Sequence, residues 1–253
     1  NSLFFDEWNT AKKVKNFLQQ PLEIDLERVK NWLQRYNEKQ EFPLSQEQYD
    51  AVVGAVSKPF SILTGGPGCG KTTTTKALVK LLQAMNKKIL LAAPTGRAAQ
   101  RMAEVIGEAS QTIHRLLVWQ PHAGQFQKNE EEPLVTDFII IDECSMLDIS
   151  LSAALLKAIP PTAQVLFIGD ADQLPSVGAG NVLKDLIASG IVPCFKLQKI
   201  FRQAQESLII KYAHQINSDE IPKIESPINR PDIWEQKIDS LFIDSDEAPK
   251  DQL

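Results

Sequence analysis

The chain has 253 residues, 43% of them hydrophobic and 23% charged, which is typical of a globular protein with one large core or two small domains. Its net charge of −5 does not by itself indicate a nucleic-acid partner. No apolar run approaches the roughly 20 residues of a membrane span, so we expect no membrane partner. The three cysteines have no metal-ligand spacing, and with no signal-like N-terminus they predict reduced thiols in a cytoplasmic protein.

Charge is distributed unevenly along the chain. Between Ala51 and Ala103 there is no Asp or Glu, whereas the stretch from Asp219 onward is acidic. The basic residues of the first stretch are Lys58, Lys71, Lys76, Lys80, Lys87, Lys88, Arg97 and Arg101. A local basic stretch matters more than the total charge when the ligand is a polyanion.

Residues 1–43 have apolar side chains at helical spacing, with Pro21 separating two predicted helices and Pro43 ending the segment. After Pro43, short apolar runs alternate with helical segments. The predicted strands are 60–64, 88–93, 137–143 and 163–170, and the predicted helices are 71–85, 96–105 and 151–159. Residues 118–133 interrupt the alternation and predict an exposed loop or a hairpin.

This alternation predicts an α/β fold, in which helices cover both faces of a mostly parallel sheet and a small helical segment precedes it. Ligands of such sheets lie beyond the carboxyl ends of the strands. The loops expected to carry function are therefore 64–71, 93–97, 142–146 and 169–178.

The segment TGGPGCGKTTTT at 64–75 fits the pattern G-x-x-x-x-G-K-[ST] between a predicted strand and a predicted helix. Backbone N–H groups of such a loop cradle phosphate oxygens. We expect Lys71 to reach the β- and γ-phosphates and Thr72 to ligate Mg²⁺, with Thr74 and Thr75 structural. The predicted nucleotide-binding residues are Gly66, Gly68, Cys69, Gly70, Lys71, Thr72 and Thr73. The alternative is a glycine-rich turn that caps a helix.

Asp142 and Glu143 follow a buried strand, where adjacent carboxylates are unfavourable unless a cation is near. Beside a phosphate loop, Asp142 can hold Mg²⁺, and Glu143 can orient and deprotonate a water that attacks the γ-phosphate. Gln173, on the loop after the next strand, can sense the γ-phosphate without adding a charge. The alternatives are a solvated helix cap for the carboxylates and an ordinary polar loop residue for Gln173.

Two further residues keep open alternatives. The amide of Gln48 offers the donor and acceptor that suit an adenine edge, although a surface glutamine is the usual outcome. Arg202 can act as an arginine that reaches the γ-phosphate, but its spacing does not distinguish it from a salt-bridge arginine.

Hydroxyls, backbone N–H groups and arginines at predicted helix starts indicate a site for the phosphodiesters of DNA. The predicted DNA contacts are Thr95, Gly96, Arg97, Thr112, His114 and Arg115. For each residue alone the alternative is a solvated surface side chain, and His114 is equally compatible with a hydrogen-bonded structural histidine.

Seven motifs occur in one order along the chain: LSQEQ, TGGPGCGKTT, APTGRAAQRM, TIHRLL, IIIDECSM, GDADQLPSVGAGNVL and LQKIFRQ. They resemble the superfamily 1 DNA helicases, and most of all the RecD-like, or exodeoxyribonuclease V alpha-subunit, type. The resemblance covers about residues 1–225. It implies a RecA-like P-loop NTPase fold, ATP and Mg²⁺ as cofactors, and 5′-to-3′ movement on single-stranded DNA in recombination and repair.

The resemblance also implies roles for single residues. It assigns Gln48 to adenine, Lys71 and Thr72 to the β- and γ-phosphates and Mg²⁺, Asp142 to Mg²⁺, Glu143 to catalysis, Gln173 to γ-phosphate sensing and Arg202 to an arginine finger. It implies that residues 95–97 and 112–115 meet single-stranded DNA. Cys69 stands where many relatives have threonine, a small change that leaves the cradle intact.

By the same resemblance, 1–43 ends a helical N-terminal region, 44–200 is the first RecA-like ATPase domain, and 201–253 starts a truncated second motor domain. Because the chain begins at Asn1 and lacks the later motifs, we expect a fragment that binds nucleotide, hydrolyses it slowly and unwinds nothing alone. Other subunits of a helicase–nuclease complex are expected partners. Two other hypotheses stay open, a P-loop kinase and a nucleotide-gated DNA-binding or assembly module.

Overall fold

The computed structural model describes residues 2–201, 207–224, 232 and 239–240. The chain divides into two compact units. The first unit combines Asn1–Gly65 with Gly70–Gln198, and the second combines Gly66–Cys69 with the described residues from Lys199 onward. Arg202, the predicted arginine finger, lies outside the described residues.

Two helices open the first unit, as the spacing of apolar residues predicts. Helix α1 covers Ser2–Leu18 and helix α2 covers Leu26–Glu38. The Asp25 side chain caps α2 by accepting a hydrogen bond from the backbone N–H of Arg28 at 3.0 Å. A third helix, α3, covers Gln46–Val56 and leads into the first strand.

Within the described part of the chain, eight strands are numbered in chain order. They are β1 Phe60–Gly65, β2 Ile89–Ala93, β3 Ser110–Thr112, β4 Trp119–Gln120, β5 Gln125–Phe126, β6 Phe138–Ile141, β7 Gln164–Gly169 and β8 Cys194–Leu197. Six of them form a parallel sheet in the order β3-β2-β6-β7-β1-β8. Strands β4 and β5 form a separate antiparallel hairpin, one of the two structures predicted for 118–133.

The remaining helices follow the strands. They are α4 Lys71–Ala84, α5 Gly96–Ile106, α6 Ile113–Leu116, α7 Ile149–Ala158, α8 Val182–Ala188 and α9 Leu208–Asn217, with a short 3₁₀ helix at Cys144–Met146. Of these, α9 belongs to the second unit. No helix in the described ranges is long and apolar enough to cross a bilayer.

The core of the first unit lies on both faces of the sheet, because successive strand residues point to opposite faces. On one face Phe60 of β1 shares a buried cluster with Phe17 of α1 and Leu155 of α7. Helix α4 contacts both α3 and α5, and each of these three helices contacts β1 or β2. The predicted α/β fold with helices on both faces of a parallel sheet is therefore confirmed.

The two edge strands, β3 and β8, are additional to the four predicted strands. Strand β3 consists of three polar residues, and two of the four residues of β8 are exposed. An edge strand pairs on one side and stays partly solvated, so it lacks the continuous apolar run that identifies an inner strand.

Candidate nucleotide site and adjoining basic edge

The phosphate loop begins where β1 ends at Gly65 and finishes where α4 begins at Lys71. Gly68 and Gly70 have φ angles of 77° and 83°, a left-handed conformation that glycine adopts without a Cβ clash. The ammonium group of Lys71 donates a hydrogen bond to the carbonyl oxygen of Gly65. The lysine side chain thus folds back along the loop that it terminates.

The four threonines of α4 divide into two pairs. Thr74 and Thr75 are buried, and their hydroxyls donate to the carbonyl oxygens of Gly70 at 3.0 Å and Lys71 at 2.9 Å. Thr72 and Thr73 are exposed at the start of the helix. This division agrees with the predicted structural function of Thr74 and Thr75, and it leaves the nucleotide contacts of Thr72 and Thr73 as a prediction.

The segment Gly66–Cys69 belongs to the second unit, where two later residues contact it. The backbone N–H of Phe201 donates to the carbonyl oxygen of Gly68 at 3.3 Å. A ring nitrogen of His214, on α9, lies 3.2 Å from the carbonyl oxygen of Pro67. The sequence carries no signal for this contact of His214, because it depends on the course of the chain after β8.

Asp142 and Glu143 follow β6, two places from β1 in the sheet. The carboxylate of Asp142 accepts a hydrogen bond from the backbone N–H of Glu143 at 2.8 Å. Glu143 has a left-handed backbone, with φ 54° and ψ 42°, and precedes the 3₁₀ helix. A left-handed glutamate is uncommon, so the tertiary structure imposes this conformation.

Burial raises the pKa of the carboxyl groups of Asp142 and Glu143 above their usual range. The charge of Asp142 raises the pKa of Glu143 further, whereas the positive charges of Lys71 and Arg101 lower the pKa of both carboxyl groups. The ionised carboxylates are therefore less favourable in the fold than in water, and a bound cation would stabilise them.

The loop after β7 adds Asp170 and Gln173. Asp170 is 3% exposed, and its carboxylate accepts from the backbone N–H of Asp172 at 3.1 Å. The Gln173 side-chain oxygen accepts from the hydroxyl of Ser145, which follows β6, at 3.4 Å. Asp170 was not among the predicted site residues, although an aspartate directly after a buried strand is the same signal that identifies Asp142. The γ-phosphate contact of Gln173 stays a prediction.

Gln48 is buried on α3 at 2% exposure, so it is not a surface glutamine. Its side-chain oxygen accepts from the backbone N–H of Ser45 at 2.9 Å, and its amide nitrogen donates to the carbonyl oxygen of Gly70 at 3.2 Å. The first contact completes a capping box with Ser45. Gln48 thus connects the start of α3 with the phosphate loop, and its contact with adenine stays a prediction.

The predicted DNA residues lie at the starts of α5 and α6, after the neighbouring strands β2 and β3. The Thr95 hydroxyl accepts from the backbone N–H of Ala98 at 3.3 Å, and the Thr112 hydroxyl accepts from that of Arg115 at 3.2 Å. Both threonines are therefore helix caps. Gly96 and Arg97 are exposed, as is the Arg115 side chain, so this edge presents open backbone and two cationic groups.

His114 is exposed and packs against the hairpin formed by β4 and β5. Its ring centroid lies 5.5 Å from that of Phe126 and 6.3 Å from that of Trp119. The two hairpin rings pack edge to face at 4.8 Å. His114 therefore has a structural contact, which leaves its contact with DNA as a prediction.

The family model AAA_19, described as an AAA domain, matches residues 48–179, a range that includes the phosphate loop, Asp142 and Gln173. The chain belongs to this AAA-domain family. Membership of the family implies that the domain binds a nucleotide.

The AAA domain is similar to curated helicase proteins. The chain is 43% identical over 179 residues to the ATP-dependent RecD2 DNA helicase of Deinococcus radiodurans, covering 71% of this chain and 24% of that protein. The chain is also 35% identical over 211 residues to the RecBCD enzyme subunit RecD of Haemophilus influenzae, covering 72% of this chain and 32% of that protein. The chain thus spans about a quarter to a third of the length of these relatives. The resemblance to RecD-like helicases that the motifs predict is confirmed.

The fold of this AAA domain also matches a solved helicase structure. The Pif1 helicase of Candida albicans aligns with a TM-score of 0.53 and 24% identity, over 72% of this chain and 46% of that chain. The match supports the RecA-like motor fold and nothing finer. No group of three or more His, Cys, Asp or Glu side chains within the described residues could hold a metal ion by itself.

Proposed function

We propose that this AAA domain is an ATP-hydrolysing motor domain of a RecD-like DNA helicase. The proposal depends above all on one observation. Lys71, which begins α4 after β1, and the acidic pair after β6 lie at the same edge of one parallel sheet, and the charge of Lys71 lowers the pKa of both carboxyl groups. A cationic phosphate-binding group beside two desolvated carboxylates is the arrangement that phosphoryl transfer to water uses.

In this proposal the nucleotide is ATP. Lys71 exchanges its contact with the Gly65 carbonyl oxygen for the β- and γ-phosphates. Glu143 accepts the proton of the attacking water, for which its raised pKa brings the base closer to the working pH. Gln173 and Arg202 are proposed as the γ-phosphate sensor and the arginine finger.

The residues present also fit Mg²⁺. A carboxylate at Asp142 and a hydroxyl at Thr72 are hard oxygen ligands, and a site with few protein ligands suits a cation that arrives with nucleotide phosphates. When bound, Mg²⁺ would neutralise charge that develops on the phosphate oxygens. Asp142 and Thr72 would hold it.

Single-stranded DNA is the proposed partner of the basic edge. Thr95 caps α5 and Thr112 caps the short α6, and Arg97 and Arg115 are exposed beside these caps, after β2 and β3. Helix N-termini and arginines bind phosphodiesters regardless of base sequence. A contact of this kind suits a motor that moves along DNA.

The names of the relatives support the proposal that the whole protein unwinds DNA and assembles with other subunits of a helicase–nuclease complex. From the motif resemblance we further infer 5′-to-3′ movement on single-stranded DNA in cytoplasmic recombination and repair.

The first test is nucleotide binding and hydrolysis by the chain, with and without single-stranded DNA. We expect Lys71→Ala to weaken binding of a fluorescent ATP analogue at least about tenfold, the loss typical of a charge-assisted contact. Glu143→Gln should keep binding and lose hydrolysis. The matched control is Lys76→Ala, an exposed lysine on the same helix, which should bind like the wild type.

Two results would contradict the proposal. Equal affinities for Lys71→Ala and Lys76→Ala would show that the glycine-rich loop is only a helix cap. Unchanged hydrolysis by Glu143→Gln would exclude Glu143 as the base and favour a nucleotide-gated binding module.

A further inference from the structure

The segment Gly66–Cys69 is held by a histidine far away in the chain. His214 lies 147 positions after Pro67, and its Nε2 atom is 3.2 Å from the Pro67 carbonyl oxygen. A carbonyl only accepts, so this ring nitrogen is the donor. Helix α9 carries His214 one turn before its end.

Packing of the same ring explains why residue 66 is glycine. The pattern G-x-x-x-x-G-K-[ST] does not require glycine at this position, and Gly66 is not among the glycines with positive φ. A Cβ atom on Gly66 would lie 2.7 Å from Cε1 of His214, far inside van der Waals contact. Glycine at 66 therefore leaves the space that the His214 ring occupies.

The hydrogen bond to Pro67 also orients one peptide group of the loop. In a trans peptide the C=O and the following N–H point in opposite directions. When the Pro67 carbonyl points to His214, the N–H of Gly68 points to the other side. A phosphate cradle is built from N–H groups oriented in this way.

We propose that His214 is a positioning residue for the phosphate loop, which sets the orientation of the Pro67–Gly68 peptide for nucleotide binding. This inference rests on the proposed nucleotide-binding function. By linkage, nucleotide bound at the loop stabilises the contact of α9 to the same extent that the contact strengthens binding. A cavity of about 360 Å³ beside His214, lined in part by Ile200, Lys211 and Glu220, gives a displaced ring space to move.

The contact itself can be tested without nucleotide. The chain has three histidines, His114, His122 and His214, and each ring gives a separate Cε1–H signal by NMR. The signal that is lost in the His214→Ala variant belongs to His214. We expect Gly66→Ala to shift the His214 signal and to leave the His114 signal unchanged. A His214 signal that Gly66→Ala does not move would overturn the proposal.

Nucleotide affinity then tests the positioning effect, with a fluorescent ATP analogue as the probe. His214→Ala should weaken binding about three- to tenfold, the loss expected for one hydrogen bond. His214→Gln keeps an N–H donor at similar reach and should bind almost like the wild type. The control is Gln215→Ala, the next residue of α9, which should not change the affinity.

The double variant completes the test. Gly66→Ala should weaken binding like His214→Ala, and combining the two should add little, because both remove the same hydrogen bond. Additive losses, or a His214→Gln protein as weak as His214→Ala, would overturn the positioning proposal alone. If the wild-type chain binds no ATP analogue at all, the proposed function fails, and this inference fails with it even if the NMR contact is present.

Discussion

Glu143 has an uncommon backbone conformation and a carboxylate whose charge is unfavourable where it is buried. Its φ of 54° is left-handed, and its own burial, followed by the charge of the neighbouring Asp142, raises the pKa of its carboxyl group. Folded-state pKa values above the unfolded values favour the protonated forms. The stability that protonation adds is complete at acidic pH and is lost as pH rises through the raised folded pKa.

Replacing the Glu143 carboxylate by a neutral amide should therefore stabilise the protein at neutral pH. We expect Glu143→Gln, without nucleotide, to raise Tm at pH 7 and to have a smaller effect near pH 4, where the carboxyl group is largely protonated in both states. The measurement is thermal unfolding at both pH values. Glu131→Gln, at an exposed position, is the control and should leave Tm unchanged.

The opposite sign would contradict this account. A lower Tm of Glu143→Gln at pH 7 would mean that the attraction of Lys71 and Arg101 outweighs burial and the charge of Asp142.

Val118 is a second residue with a left-handed backbone, at φ 54°, where the chain enters the hairpin. A β-branched side chain is unfavourable there by about 1–2 kcal/mol, whereas asparagine adopts this region more readily. We expect Val118→Asn to increase the free energy of unfolding by about 1 kcal/mol in urea denaturation. Val105→Asn, at a similarly exposed position within α5, should not increase the free energy of unfolding. Equal effects of both changes would exclude backbone strain as the cause.

Gln164, the first residue of β7, is hydrogen-bonded to the chain between α3 and β1. Its buried amide donates to the carbonyl oxygens of Val56 at 2.8 Å and Lys58 at 3.0 Å. These two carbonyls lie where α3 ends, so the contact sets the position from which β1 starts.

Removing the Gln164 amide should destabilise the fold. We expect Gln164→Leu to lower the free energy of unfolding by about 2–3 kcal/mol, because two carbonyl oxygens lose their buried donor. Urea denaturation measures the change, and Gln100→Leu on the exposed side of α5 should stay within about 0.5 kcal/mol. If Gln164→Leu changes the free energy of unfolding as little as Gln100→Leu does, water replaces the lost amide donor.

The inner strands could be predicted because burial on both faces makes them continuous apolar runs, as in Phe138–Ile141. The edge strand SQT at 110–112 could not, since it is polar and its pairing with β2 depends on tertiary structure. The same limit applies to side chains. The motifs predict which loop carries Gln48, but its burial and its contact with Gly70 depend on how α3 packs.

The loops proposed to carry function divide along one edge of the sheet. The proposed nucleotide loops follow β1, β6 and β7, and the proposed DNA loops follow β2 and β3, with β6 paired to β2. The positive charge of Arg101, on the helix that follows β2, lowers the pKa of both carboxyl groups that follow β6.

This division predicts how DNA binding responds to salt. We expect Arg97→Ala to weaken binding of a single-stranded oligonucleotide by this chain and to lower the slope of log K against log salt by about 0.7, one phosphate contact on a single strand. Arg35→Ala, on the exposed side of α2, should change neither quantity. Equal affinities for both variants in a fluorescence anisotropy titration would remove Arg97 from the interface.

The exposure of the cysteines has a practical consequence. Cys69 and Cys144 are buried, whereas Cys194 is exposed at the start of β8, opposite Ile62 of β1. A maleimide dye should therefore attach at one position of the native chain. Because partial burial raises the pKa of the Cys194 thiol, coupling requires mildly alkaline buffer. The wild-type protein carries its own attachment point for a fluorophore, on the strand beside the one that leads into the phosphate loop.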